Sequence, residues 1–135
     1  MIQKKMKRPF KRIETGYHKA AKDILSGWVN GVTEKEFKVD GSILFVPDVT
    51  CYENGVLKSL YEVVYKNPLT GRKLGLIEYW CYRNATELSV YEVSADYILA
   101  QTDKPEFIQT MECYVVNEST SVIQSEKFEL KNLPY

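Results

Sequence analysis

Apolar side chains recur at Ile13, Tyr17, Ala20, Ala21, Ile24, Leu25 and Trp28, a spacing that predicts a helix over residues 13–29. At about 100° per residue these positions share one arc. Glu14 falls inside that arc, and His18 lies one turn on at its edge.

After "NGVTEKE" the period changes to that of strands: "FKVDG" (37–41), "SILFVPDVTCY" (42–52) and "VLKSLYEVVYK" (56–66). The last two flank Asn54-Gly55, whose tolerance of positive φ marks a type I′ hairpin, so they are expected as antiparallel neighbours. Pro47 is awkward inside a central strand and suits a bulge or a local break in the ladder just before Asp48. "NPLTGR" reads as a loop. "KLGLIEYWCYRNA" (73–85) reads as a second helix with Leu76, Ile77, Trp80 and Cys81 on one face and Lys73 on the same face at its first turn. "TELSVYEVS" (86–94) is a strand pattern and "ADYILAQ" a short helix or turn. Residues 107–116 and 120–130 read as two further strands joined at "NEST", a C-terminal β-hairpin beyond an α-β-β-β-α-β order. The fold class expected is a mixed α/β domain.

Composition narrows the class. At 135 residues with 44% hydrophobic and 13% aromatic side chains, one domain with one sizeable core is expected. No apolar run approaches a membrane span, and no apolar stretch follows the basic start as a secretory signal requires, so the expected location is the cytoplasm, or host cytosol or nucleus for a viral protein. Cys51, Cys81 and Cys113 have no CxxC spacing, which favours free thiols over a disulfide framework or a zinc site. The formal charge of zero hides an asymmetry, since Lys4, Lys5, Lys7, Arg8, Lys11 and Arg12 fall in the first twelve positions, leaving 12 basic against 18 acidic residues. Residues 1–12 are therefore a basic arm suited to a phosphate backbone, or a solubilising or localisation-like tail, and residues 13–135 are the domain.

The candidate chemistry lies on the hairpin. Alternation puts Glu62, Val64 and Lys66 on one face of their strand, and closure at Asn54-Gly55 sets Asp48 roughly opposite Glu62. Two carboxylates brought together raise a pKa unless a cation sits between them. Mg²⁺ fits such hard oxygen ligands and keeps waters, one of which becomes a nucleophile. Solvated strand acids are the plainer alternative for Asp48 and Glu62, and a favourable helix-start charge the plainer one for Glu14.

These motifs resemble the PD-(D/E)xK nuclease superfamily. The carriers are Pro47-Asp48, "YEVVYK" with Glu62, and the preceding helix "ETGYHKAAK". The closest likeness is to the competence-associated nuclease-like branch, with Tyr91-Glu92-Val93 as its later strand motif. Archaeal Holliday-junction resolvases and several phage or virus nucleases share the same core. The likeness is one of order and spacing over about residues 13–95. It implies a restriction-endonuclease-like core, Asp48, Glu62 and Glu14 as ligands of Mg²⁺ (or Mn²⁺), DNA as substrate, including branched or junction DNA, and a homodimer. Val64 stands where the motif has its lysine. Lys66 and Lys73 are the two replacements, and Lys73 is preferred because its place on the apolar arc directs it inward. His18 is a candidate phosphate contact or general base, although a lone helix histidine is more often a packing or capping residue. Glu92 could be a further acid but reads best as half of a cross-strand salt bridge, and Trp28 and Trp80 read as core. Two alternatives remain: a degenerate nuclease fold that binds nucleic acid without cutting it, and a helix-on-antiparallel-sheet module of the cystatin-like or nuclear-transport-factor-like kind.

Overall fold

A computed structural model of the chain describes residues 15–66, 68–117 and 133–134. Its elements run α1 (Gly16–Val29), β1 (Phe37–Val39), β2 (Ser42–Phe45), β3 (Val49–Glu53), β4 (Val56–Val64), α2 (Gly71–Asn84), β5 (Leu88–Ser94), α3 (Ala95–Ala100), β6 (Phe107–Ile108), β7 (Glu112–Val116) and β8 (Leu133–Pro134). The class is mixed α/β, as the alternation of periods predicts. Among the described residues no helix is long and apolar enough to cross a membrane.

The central sheet has the order β3-β4-β5-β7. The β3–β4 hairpin turns at Asn54 and Gly55 with φ of 53° and 78°, the positive pair that the turn requires. β4 and β5 are parallel, joined by α2 as the crossover, and β7 pairs antiparallel with β5. A parallel pair with helices on both faces differs from the all-antiparallel sheet of a cystatin-like or transport-factor-like module.

Alternate residues of the strands feed two cores. Val49, Tyr61, Val63 and Val93 pack with Ala21, Leu25 and Trp28 of α1 and with Ile98 of α3. Leu60, Leu88, Val90, Tyr114 and Val116 pack with Leu74, Ile77 and Cys81 of α2 and with Phe37 and Phe45 of the β1–β2 hairpin. The two phenylalanine rings stack at 4.8 Å, with Trp80 edge-on to Phe37 at 4.9 Å. Trp28 is buried in the first core and Trp80 packs, half-buried, against the second, so both tryptophans serve the cores. All three cysteines are free and buried.

Three expectations change. The helix buries only a narrower face, Ala21, Lys22, Leu25 and Trp28, while Tyr17, Ala20 and Ile24 are exposed. Lys22 enters that face because Glu34 meets it at 2.8 Å. The stretch 42–52 is not one strand: β2 turns back on β1 at Asp40-Gly41, a second positive-φ pair, and the chain breaks at Val46-Pro47-Asp48 before β3. The first arm of the expected C-terminal hairpin also differs. Residues 107–116 divide between β6, which pairs β8, and β7, which joins the central sheet because Cys113, Tyr114 and Val116 bury against both of its faces. Residues 1–14, with Glu14 and the six basic positions of the arm, lie outside the described residues, as do residues 120–130.

Gly31 lets the strand edge close. It follows the α1 cap residue Asn30, and Val32 then bridges Thr50 through two hydrogen bonds of 2.8 Å. A Cβ at Gly31 would run into Val49 Cγ1 and lie 3.0 Å from the Thr50 carbonyl. Gly31→Ala is therefore expected to destabilise the chain by about 2 kcal/mol, read as an earlier urea midpoint at unchanged slope.

Candidate functional site

Pro47 has no N–H to continue the ladder, and extending the β3–β4 register places it against Val63. The Asp48 side chain takes over: Oδ2 accepts the Val63 N–H at 2.7 Å. In return the Asp48 N–H donates to Glu62 Oε2 at 3.3 Å. The break that separates β2 from β3 thus fixes two acids against each other, and the proline before Asp48 is what makes the acid necessary there.

Two basic side chains close the arrangement. Lys73, in the first turn of α2 beyond the N-cap Thr70, reaches Glu62 Oε1 at 3.0 Å and the Val46 carbonyl at 3.1 Å. His18 Nε2 from α1 lies 3.4 Å from Asp48 Oδ2. All four side chains are partly or largely shielded, with Glu62 at 10% and Lys73 at 28% exposure. The site therefore sits at one end of the parallel pair, with α1 supplying the histidine and α2 the lysine.

Of the two replacement lysines, Lys73 is the one brought to Glu62. Lys66 lies past the end of β4, exposed, with Nζ 5.3 Å from the Tyr65 ring centroid, and makes no hydrogen bond or ion pair with either acid. Val64 is buried at the position two residues after Glu62. Glu92 is buried beside Glu62 in the parallel register, and its carboxylate accepts the Leu69 N–H at 2.5 Å, anchoring the loop that leads into α2. The Val46 carbonyl is a site atom that no side-chain pattern in the sequence announces.

The electrostatics separate the two acids. Burial pushes the Asp48 carboxyl up, but the His18 side chain, the Val63 N–H and the neighbouring charges of His18 and Lys73 outweigh it, holding Asp48 below the ordinary value. At Glu62 burial wins: the carboxyl is pushed up to about 7, with the Asp48 charge adding to the rise and Lys73 opposing it. Asp48 therefore ionises at lower pH than Glu62.

A raised acid pKa has a defined sign in stability. The folded chain retains the Glu62 proton above pH 4.5, where the unfolded chain releases it. The resulting stabilisation is complete below that pH and is lost as pH rises through about 7. In EDTA the melting temperature is expected to fall by on the order of 5 °C across this window. Glu62→Gln cannot titrate and should flatten the profile; parallel profiles for wild type and variant would assign the fall to another group.

Among the described residues no group of three or more His, Cys, Asp or Glu side chains is arranged to hold a metal ion. The two carboxylates still suit Mg²⁺, which usually takes one or two protein carboxylates and completes its shell with water and phosphate oxygens. Asp48 Oδ1 has no hydrogen bond among the described residues. Compared with known proteins, the chain matches no family model, no curated protein and no solved structure.

Proposed function

We propose that the chain is a metal-dependent nuclease on a restriction-endonuclease-like core, hydrolysing phosphodiester bonds in DNA, including branched or junction DNA, and working as a homodimer. The observation that carries this reading is the convergence of Asp48, Glu62 and Lys73 at one end of a parallel strand pair, with a helix crossover delivering the lysine. Asp48 and Glu62 are the residues that would hold Mg²⁺ or Mn²⁺, with Glu14 as a third acid from the sequence outside the described residues. A bound Mg²⁺ supplies Lewis acidity and a coordinated water of lowered pKa.

The chain's own groups do the remainder. Asp48 stays ionised near neutral pH, because its partners hold its carboxyl down, and so offers a fixed negative charge. Lys73 brings a positive charge to the same end of the sheet, where phosphate charge develops during hydrolysis. His18 orients the Asp48 carboxylate from α1 and is the nearest imidazole for proton transfer. Lys73 takes the place that Val64 leaves without a cation.

One observation favours the second reading, a nuclease fold that binds without cutting. Lys73 spends two of its three ammonium donors on Glu62 and the Val46 carbonyl, which leaves one for a phosphate. The two are separated by incubating linear duplex, single-stranded and four-way-junction DNA with the chain in Mg²⁺, in Mn²⁺ and in EDTA. Divalent-dependent cleavage that disappears in Glu62→Ala supports the nuclease; the same background in wild type and variant sinks it.

A further inference from the structure

Two tyrosines close in sequence to the site residues belong to neither apolar cluster. Tyr17 immediately precedes His18 on α1, and Tyr65 follows Glu62 by three residues, just past the end of β4. Their ring centroids are 4.7 Å apart with the planes tilted by 51°, yet the residues remain 40% and 43% exposed. Neither belongs to the two apolar clusters. The Tyr17 hydroxyl donates to Asp96 Oδ1 of α3, which fixes its ring, and Lys66 holds its ammonium 5.3 Å from the Tyr65 centroid.

We propose that Tyr17, Tyr65 and Lys66 form a stacking subsite for an unpaired nucleotide next to the scissile phosphate, so that the substrate is single-stranded or locally unpaired nucleic acid. The inference rests on the nuclease reading of the adjacent acids and adds a substrate class to it. A half-exposed pair of aromatic rings offers stacking to any base, whereas the bases of a closed duplex already stack on one another. Lys66 adds a cation at the same surface, matched to the phosphate that accompanies the base. The Tyr17 hydroxyl is committed to Asp96, so the ring offers its face rather than a base-reading hydrogen bond. Recognition at this subsite is therefore tolerant of sequence and selective for strand state. It also gives a role to Lys66, which no hydrogen bond or ion pair joins to Glu62.

The test is binding by the full chain in EDTA, where hydrolysis is suppressed, followed by fluorescence anisotropy. The probes are a short fluorescein-labelled oligothymidylate and a duplex of equal length. Wild type is expected to prefer the single strand. Tyr65→Ala should weaken that binding by about tenfold and leave duplex affinity unchanged, while Tyr65→Phe, which keeps the ring, should bind as wild type does. Lys66→Gln should reduce the slope of log K against log salt by about 0.7. The proposal is overturned if the oligothymidylate does not bind, if Tyr65→Ala binds it unchanged, or if Tyr65→Ala loses both probes equally. Its failure and that of the nuclease reading are distinguishable. An inactive chain that loses single-strand affinity in Tyr65→Ala retains the subsite and refutes the nuclease, and an active chain whose affinity ignores Tyr65 does the reverse.

Discussion

Asp48→Asn is expected to lower divalent-dependent DNA cleavage by at least about a hundredfold while leaving the chain folded. Asparagine retains an oxygen that can accept the Val63 N–H, so the local geometry of the ladder break survives. What disappears is the ionised carboxylate that His18, Val63 and Lys73 stabilise. The substitution also removes the neighbouring charge that adds to the burial of Glu62, so the Glu62 carboxyl should ionise at lower pH than in wild type. Two measurements check this together. Initial cleavage rates in Mg²⁺ should collapse, and the pH dependence of melting in EDTA should move to lower pH. Cleavage at the wild-type rate would remove Asp48 from the chemistry.

Lys73→Met is expected to have the largest effect on stability, about 3 kcal/mol at pH values well above 7. Methionine fills much of the same volume, so the loss comes from electrostatics: Glu62 is left buried beside Asp48 with no ammonium at 3.0 Å. Because Lys73 opposes the upward push on Glu62, its removal drives that carboxyl further up. A folded pKa raised further above the unfolded one means stability that declines over a wider range as pH rises. The destabilisation should therefore be small near pH 5, where Glu62 is protonated in both chains, and full at about pH 9. Urea melts at the two pH values read this directly. Mg²⁺ provides a second readout, since a cation that binds the folded state raises its stability by mass action. It should restore Lys73→Met more than it stabilises wild type. Equal destabilisation at both pH values would show that packing, not charge, accounts for the loss.

The elements that carry the acids were legible because their signals are local. Asn54-Gly55 fixes a turn through two residues of unusual φ, and Pro47 ends a ladder by lacking a donor, so Asp48 and Glu62 could be set opposite each other from sequence. Asp40-Gly41 carries the same turn signal and folds β2 back on β1, while the break at Val46-Pro47-Asp48 separates β2 from β3. Other features depend on contacts between distant segments. The period of α1 shows which residues can share an arc but not how wide the surface beneath them is, so Ile24 joins the apolar arc yet is exposed, while Lys22, absent from that arc, is buried against Glu34. Likewise 107–116 reads as one arm of a hairpin until β5 offers it an open edge. Lys66 and Lys73 were separable only in part. The strand face favoured Lys66 and the helix arc Lys73, and it is the end of β4 at Val64 that excludes Lys66.

The free thiols give the molecule a built-in clock for its own opening. Cys81 has no exposed surface and faces the core beneath α2, while Cys51 and Cys113 lie at two strands of the sheet. Burial pushes the Cys81 thiol up to about 12, so it is almost wholly protonated and inert towards alkylating reagents while α2 stays docked. Native-state labelling at Cys81 therefore reports how often α2 lifts, and with it how often Lys73 leaves Glu62. Labelling at Cys51 reports the opening of the β3 side. The ratio of the two rates distinguishes a hinged departure of the lysine-bearing helix from dissolution of the whole sheet.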